Sequence, residues 1–384
     1  MSIKIKDKSL CCGCTACFYS CPSGAIQMEE HKGFLYPEVD ETKCIECGLC
    51  EKVCTFHENY ARYNNYASPK YFALRCLDNE ELSKSQSGGA FYLLSQYVLD
   101  LGGIIYGASF NNNFMVMHTR ADDALCRDSM RGSKYVQSSL YNIFPQIKKD
   151  LIDGKFVLFS GTPCQVAGLR SFLKKADTNK LLTIDLLCHG VASPLFWKKY
   201  LEMIQIKGKG KLKDVKMRDK SFGWLSSEET YEFENATTHK NTFYMLYYGG
   251  LISRECCFHC PFANAKRIGD ISIGDYHGWN EHHKQFIDNT GMSLVLINSV
   301  KGESLIKRIT KRDDVFCTPT DIHGTIHIAL LEPAKKNEKY DYFWNDFDKK
   351  GIKYVCKKYG DMSWRTQMNI KLYRFLKRML KKYI

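Results

Sequence analysis

Eight cysteines stand in two ladders of identical spacing, Cys11, Cys14, Cys17 and Cys21, then Cys44, Cys47, Cys50 and Cys54. Both read C-x2-C-x2-C-x3-C; Pro22 follows the first ladder and Thr55 the second. Such spacing suits cubane 4Fe–4S clusters, because two-residue gaps let the backbone curl round a compact body so that its thiolates converge. Zinc knuckles also use C-x2-C pairs, but they do not require eight cysteines in a doubled ladder. The chemistry this predicts is one-electron transfer.

Four further cysteines stand in marked contexts. In Gly161-Thr162-Pro163-Cys164-Gln165, Thr162 suits a helix N-cap, Pro163 the first helical position and Gln165 the reciprocal cap. Cys164 then falls in a first helical turn, where free amides and the helix dipole favour a thiolate. Cys188-His189-Gly190 closes a second apolar run, and Cys257-Phe258-His259-Cys260-Pro261 supplies a C-x2-C pair. Cys164, Cys188, Cys257 and Cys260 could ligate a third cluster, with Cys256 as a competing ligand; a zinc site, or small buried hydrophobes, would use the same residues.

Three segments have the chemistry of ligand sites. Ser85-Gln86-Ser87-Gly88-Gly89 precedes an apolar helix, and a Ser/Gly turn at a helix start offers amides to phosphate. Gly132-Ser133-Lys134-Tyr135-Val136-Gln137-Ser138 combines a cation for a pyrophosphate with an aromatic ring for stacking. In Gly269-Asp270-Ile271-Ser272-Ile273-Gly274-Asp275-Tyr276-His277-Gly278, strand alternation ends in a Gly-rich turn, which puts Asp275 and His277 at a strand's end, where ligands bind. An ordinary helix start, a solvated loop and a structural turn would look the same. No catalytic acid is assigned; His189, His277 and Asp275 are candidates.

The elements that must position these residues read as a mixed α/β chain. Strands are expected at 71–76, 103–110, 155–160, 181–187, 271–273 and 293–297, a helix at 89–101, and a hairpin from 230–233 and 241–247. Strands alternating with helical patterns imply an α+β chain in which a small iron–sulfur module precedes a larger mixed α/β domain. Residues 1–60 form the module, the polar 61–70 segment with Pro69 a linker, 71–335 the larger domain, and 336–384 a basic tail. Neither a Rossmann G-x-G-x-x-G nor a Walker P-loop occurs.

The length of 384 residues permits two or three domains, and 44% hydrophobic residues permit a sizeable core. Met1–Leu10 alternates Lys with Ile and has no apolar run of a secretory signal, and no apolar stretch reaches the roughly 18 residues of a membrane span. Eighteen cysteines in such a chain point to cofactor ligation in a reducing cytoplasm, and oxygen-sensitive clusters to an anaerobe. The net charge of +13 is concentrated in 349–384, which holds twelve Lys/Arg against Asp361. There, Leu372, Phe375, Leu376, Met379 and Tyr383 recur at helical spacing among lysines and arginines. A basic amphipathic helix lies on an anionic membrane, here the inner face, or grips an acidic partner; packing on the protein's own core is the alternative. No nucleic-acid motif accompanies the charge.

The doubled ladder resembles two-cluster ferredoxins, where the fourth ligand of each cluster comes from the other ladder. That implies one 4Fe–4S cluster on Cys11, Cys14, Cys17 and Cys54 and a second on Cys44, Cys47, Cys50 and Cys21. The order of SQSGG, GSKYVQS, GTPCQ, LLCHG, CFHCPFA and GDISIGDYHG behind this module resembles the coenzyme F-420 hydrogenase/dehydrogenase beta-subunit family over most of residues 1–300. The resemblance implies an iron–sulfur flavoprotein oxidoreductase. FAD would lie among Ser87, Gly88, Gly89, Ser133, Lys134, Tyr135, Gln137, Gly161 and Thr162, and a third 4Fe–4S cluster on Cys164, Cys188, Cys257 and Cys260. It also implies ferredoxin or a redox partner subunit on one side. On the other stands a small-molecule substrate, coenzyme F-420 or another, with relatives of this layout associated with surface-polysaccharide gene sets. The alternative is a non-catalytic electron-transfer subunit serving a partner hydrogenase, dehydrogenase or reductase.

Overall fold

The computed structural model of the protein describes residues 7–57, 60, 65–320 and 327–360. The N-terminal module holds a short helix, Ala16–Ser20, a two-stranded antiparallel ribbon of β1 (Ile26–His31) and β2 (Phe34–Val39), and a second short helix, Leu49–Lys52. Each helix follows the third residue of its ladder's curl, so the ladders themselves are the turns. The larger region is built on β3 (Lys70–Cys76), β4 (Ile104–Phe110), β5 (Val116–Ala121), β6 (Val157–Gly161) and β7 (Leu181–Leu186). A small antiparallel sheet of β8 (Leu212–Lys216), β9 (Glu229–Phe233) and β10 (Thr237–Lys240) interrupts it, and β11 (Ile271–Asp275), β12 (Ser293–Ile297) and β13 (Val315–Pro319) complete it.

The large sheet runs β13-β3-β12-β11-β7-β6-β4-β5. Its middle four strands, β11, β7, β6 and β4, are mutually parallel, and the flanking strands are antiparallel. Every residue of β6 is buried, as a strand covered on both faces requires. Parallel strands bring the carboxyl ends of β6, β7 and β11 to one edge, where ligands bind in such sheets. The strands expected from the sequence are therefore present, within a residue or two.

The expected 230–247 hairpin is not formed as read. β9 pairs with β10, and Thr242–Tyr248 is a helix. Phe243, Leu246 and Tyr247 are spaced at the helical period and buried together, and that periodicity overrides the β preference of the aromatic run. The stretch expected to be a linker is anchored where it is described: Asn65 Nδ2 donates to the Arg267 and Gly269 carbonyls, both at 2.9 Å. The expected tail likewise begins inside the core. Tyr340, Phe343, Trp344 and Phe347 of the helix Tyr340–Tyr359, kinked at Gly351, pack with Phe196 of the helix Pro194–Gln205. The amphipathic stretch at 372–383 lies outside the described residues. Among the described residues no helix is long and apolar enough to cross a membrane.

One buried carboxyl sets a pH dependence. Glu229 is fully buried and accepts from Tyr200 Oη, Tyr231 Oη and the Tyr244 amide at 3.1, 2.8 and 2.8 Å. Burial pushes its carboxyl up to about 7 against those hydrogen bonds. The folded chain therefore holds a proton that the unfolded chain releases above the ordinary carboxylate range. Stability is fully present below that range and falls as pH rises to about 7, by about 3 kcal/mol. Denaturation of Glu229→Gln should lose this decline; a wild-type-like slope between pH 5 and 7 would refute the assignment.

Candidate functional site

Both ladders curl by the same backbone device. Gly13 and Thr15 in the first have φ of 67° and 65°; Glu46 and Gly48, at the equivalent places in the second, have 52° and 66°. Left-handed residues cost Thr15 and Glu46 about 1 kcal/mol or more each, and they make a concave nest of amides of the kind that binds anions and iron–sulfur centres. Cys11, Cys14, Cys17 and Cys54 line one small cavity, with Cys12, Thr55 and Phe56 beside them. Burial, then the neighbouring Cys11 and Cys54 thiols, push the Cys17 thiol well up. Burial likewise raises Cys54 to about 11. Several buried thiols that cannot all ionise alone are a donor set suited to a cationic metal core. Of the other expected set, Cys21 and Cys50 meet in one small cluster, while Cys44 is half-buried and Cys47 exposed.

A second cavity is lined by Cys164, Cys188, Cys257 and Cys260 together, and also by Cys12 and Cys256. Three elements converge to make it. The helix Pro163–Phe172 starts with the expected capping box, with the Thr162 amide donating to Gln165 Oε1 at 3.0 Å, and carries Cys164 in its first turn. Cys188 follows the end of β7, and a 3-10 turn, Glu255–His259, presents Cys257 just ahead of Cys260. The wholly buried Arg267–Asp185 pair at 2.5 Å binds the segment after Cys260 to β7. Arg267 also donates to the Phe262 and Leu186 carbonyls, and Asp185 Oδ2 accepts the Gly269 amide. Burial, then Cys257, push Cys188 and Cys260 up to about 12. The thiolate-favouring helix start does not govern Cys164. Its thiol meets that of Cys12, and this contact, followed by burial, holds Cys164 well up. Among the described residues, no three His, Cys, Asp or Glu side chains close on a single ion-sized point.

A third cavity, of about 400 Å³, opens at the carboxyl ends of β6, β7 and β11. That volume is in the range of small-molecule sites. Of the residues expected at a cofactor, Ser87, Gly89, Ser133, Lys134, Tyr135, Gly161 and Thr162 line it. Gly88 and Gln137 do not. A Cβ on Gly88 would sit 2.3 Å from the Leu74 carbonyl oxygen, so this glycine lets the loop approach β3. Gln137 turns the other way, donating to the Cys12 carbonyl at 2.9 Å and accepting from Arg254 Nη1 at 2.9 Å. Lys134 Nζ donates to the Arg131 carbonyl at 2.8 Å, and burial lowers its ammonium to about 7. An anion would restore its charge.

The candidate acids also face this space. His189, His277 and His327 form a row, with ring centroids 4.8 and 5.5 Å apart. Burial, then the other two rings, lowers His327 to about 3, so it is neutral. Asp275 is paired with Arg218 at 2.5 Å. Tyr135 packs on Tyr244, Tyr247 and Tyr248 at 6.3, 4.9 and 5.9 Å. Arg218, His327 and the three tyrosines of the Thr242–Tyr248 helix escaped the sequence reading. The tyrosines have an i, i+3, i+4 signal that the strand assignment hid; Arg218 and His327 have none. Cys12 could have been found from the Cys11-Cys12 doublet.

The three cavities adjoin in a row. Cys12 and Phe56 belong to the walls of the first and second; Thr162, Cys188, Gly190 and Val191 belong to those of the second and third. Gly190, at φ 112°, makes the second junction possible: a Cβ there would sit 3.1 Å from Cys257 Cβ.

Residues 10–57 match the 4Fe–4S dicluster domain, and residues 154–322 match the family described as the C terminus of the coenzyme F420 hydrogenase/dehydrogenase beta subunit. A solved chain from the F420-reducing [NiFe] hydrogenase complex of Methanosarcina barkeri is 16% identical. The alignment covers 76% of this chain and 91% of that one, with a TM-score of 0.48. No curated protein matches the chain. With a dicluster module ahead of the family domain, the chain is an iron–sulfur electron-transfer protein of the coenzyme F420 hydrogenase/dehydrogenase beta-subunit family.

Proposed function

We propose that this protein is an iron–sulfur flavoprotein oxidoreductase in which electrons move between the ladder cysteines and FAD in the 400 Å³ cavity. The observation that carries the reading is the row of three cavities with shared walls. Cys11, Cys14, Cys17 and Cys54 would hold one 4Fe–4S cluster, Cys21, Cys44, Cys47 and Cys50 another, and Cys164, Cys188, Cys257 and Cys260 a third. When bound, the clusters supply one-electron steps and FAD supplies hydride exchange with coenzyme F420 or another small molecule, a surface-polysaccharide precursor among them.

The chain's own groups are suited to the remaining tasks. Ser87, Gly89 and Thr162 offer a polar cradle, with Lys134 as the cation for a pyrophosphate. The tyrosine cluster provides flat apolar walls that exclude water and orient a ring. The Asp275–Arg218 pair and the neutral histidines stand where a substrate proton would be held. A redox partner would meet the module at its second ladder, where Cys47 is exposed.

Anaerobically purified protein should contain about twelve irons, as three 4Fe–4S centres require, and one FAD. About eight irons without flavin would end the flavoprotein reading. Full cofactors with no hydride exchange with any small molecule unless a partner subunit is added would favour the electron-transfer subunit instead.

A further inference from the structure

Arg254 is fully buried, and among the described residues no carboxylate pairs with it. Its guanidinium lies where the N-terminal module meets the larger domain. Nε donates to the Cys11 carbonyl at 2.8 Å, Nη2 to the Leu35 carbonyl at 2.8 Å, and Nη1 to Gln137 Oε1 at 2.9 Å. Nη2 also reaches Cys11 Sγ at 3.7 Å. The group stacks 4.1 Å over the Tyr36 ring and 5.3 Å over Phe34, both buried, so water is excluded around it. Arg254 further belongs to the wall of the second cysteine cavity. A buried cation without a counter-charge is costly, and docking the module would not require one, since neutral donors could serve the two carbonyls. The acidic groups that face it are the Cys11, Cys12 and Cys256 thiols and the Tyr36 hydroxyl.

We propose that Arg254 is a positioning residue that sets the reduction potential of the centre on Cys11, Cys14, Cys17 and Cys54, its fixed positive charge and its hydrogen bond to Cys11 Sγ favouring the reduced state. The inference rests on those cysteines holding a cluster, as argued above. The physics is direct. A one-electron donor adds one unit of negative charge to the centre, and no proton or bond need move. A guanidinium at hydrogen-bond distance, in a dry site, stabilises the more negative state. Arg cannot lose its proton, so the bias is independent of pH. Its place between the first two cavities means that electrons leaving the module pass beside it.

The test uses the full-length holoprotein, prepared anaerobically and titrated with dithionite and mediators while the reduced clusters are followed by EPR. Arg254→Gln should keep the native iron content. It should shift the equilibrium of one centre about tenfold toward the oxidised form, about 59 mV lower for one electron. The centre on Cys21, Cys44, Cys47 and Cys50, which Arg254 does not touch, should keep its midpoint and serves as the internal control. Arg254→Lys keeps the charge but loses the planar fork, and its shift should be in the same direction and smaller. If Arg254→Gln loses iron, Arg254→Lys decides: a lowered midpoint supports the inference, and an unmoved one overturns it. Full iron with unmoved midpoints in Arg254→Gln overturns it outright. Native protein without cluster iron would instead remove the reading of the cysteines on which it rests.

Discussion

Replacing Cys257 with alanine should remove about a third of the iron, leaving about eight of about twelve, and should uncouple flavin reduction from the module. The side chain lines the second cavity with Cys164, Cys188 and Cys260, and this cavity alone shares walls with both the ladder cavity and the large one. A cluster missing one of four thiolates loses a ligand that no water can replace in a buried, apolar wall. Cys256 is the neighbouring rescue candidate, being buried and also part of that wall. The double variant Cys256→Ala/Cys257→Ala therefore closes the escape route. Cys126, exposed at the surface, is the control: Cys126→Ala should keep all iron. Iron and sulfide assays with the rate of flavin bleaching by a one-electron donor decide the matter. Full iron and an unchanged bleaching rate in the double variant would show that this cavity holds no cluster.

Legibility in the sequence followed how local each signal was. The ladders were readable because a cluster loop is a local object: its spacing is its geometry, and the left-handed pairs Gly13/Thr15 and Glu46/Gly48 repeat with it. Cys164 was placed correctly at a helix start because Thr162, Pro163 and Gln165 encode a cap within four residues. Its protonation was misread because the deciding neighbour, Cys12, lies across the module boundary. Gln137 was read from its position within GSKYVQS, yet it serves Arg254 and Cys12 rather than the large cavity. Arg218 and His327 reach that cavity through the interrupting sheet and a late loop, which no spacing rule connects. The helix at 242–248 was lost to aromatic β preference, although Phe243, Leu246 and Tyr247 already carried the helical period.

The second large effect concerns the pair that holds the third cysteine set in place. Arg267→Met should lower stability by about 3–5 kcal/mol, the usual loss when one partner of a buried pair is removed, read as a fall of roughly 10 °C in the anaerobic unfolding midpoint. Asp185 would be left fully buried with its charge unmatched; its Oδ2 would keep only the Gly269 and Ile268 amides. The Phe262 and Leu186 carbonyls would lose their donor as well. Swapping both residues for apolar ones removes the charge mismatch but not those orphaned backbone groups, so Asp185→Leu/Arg267→Met should recover only part of the loss. The exposed Lys199–Glu202 pair gives the contrast, since nearly half of each side chain is in solvent. Its removal should cost under about 1 kcal/mol. The Arg267→Met protein should also lose iron in step with its stability, because Cys257 and Cys260 are tied to Cys188 through this contact. A midpoint within two or three degrees of the native one, with full iron, would mean that the cysteine loop is fixed by its own packing and that the ion pair is incidental.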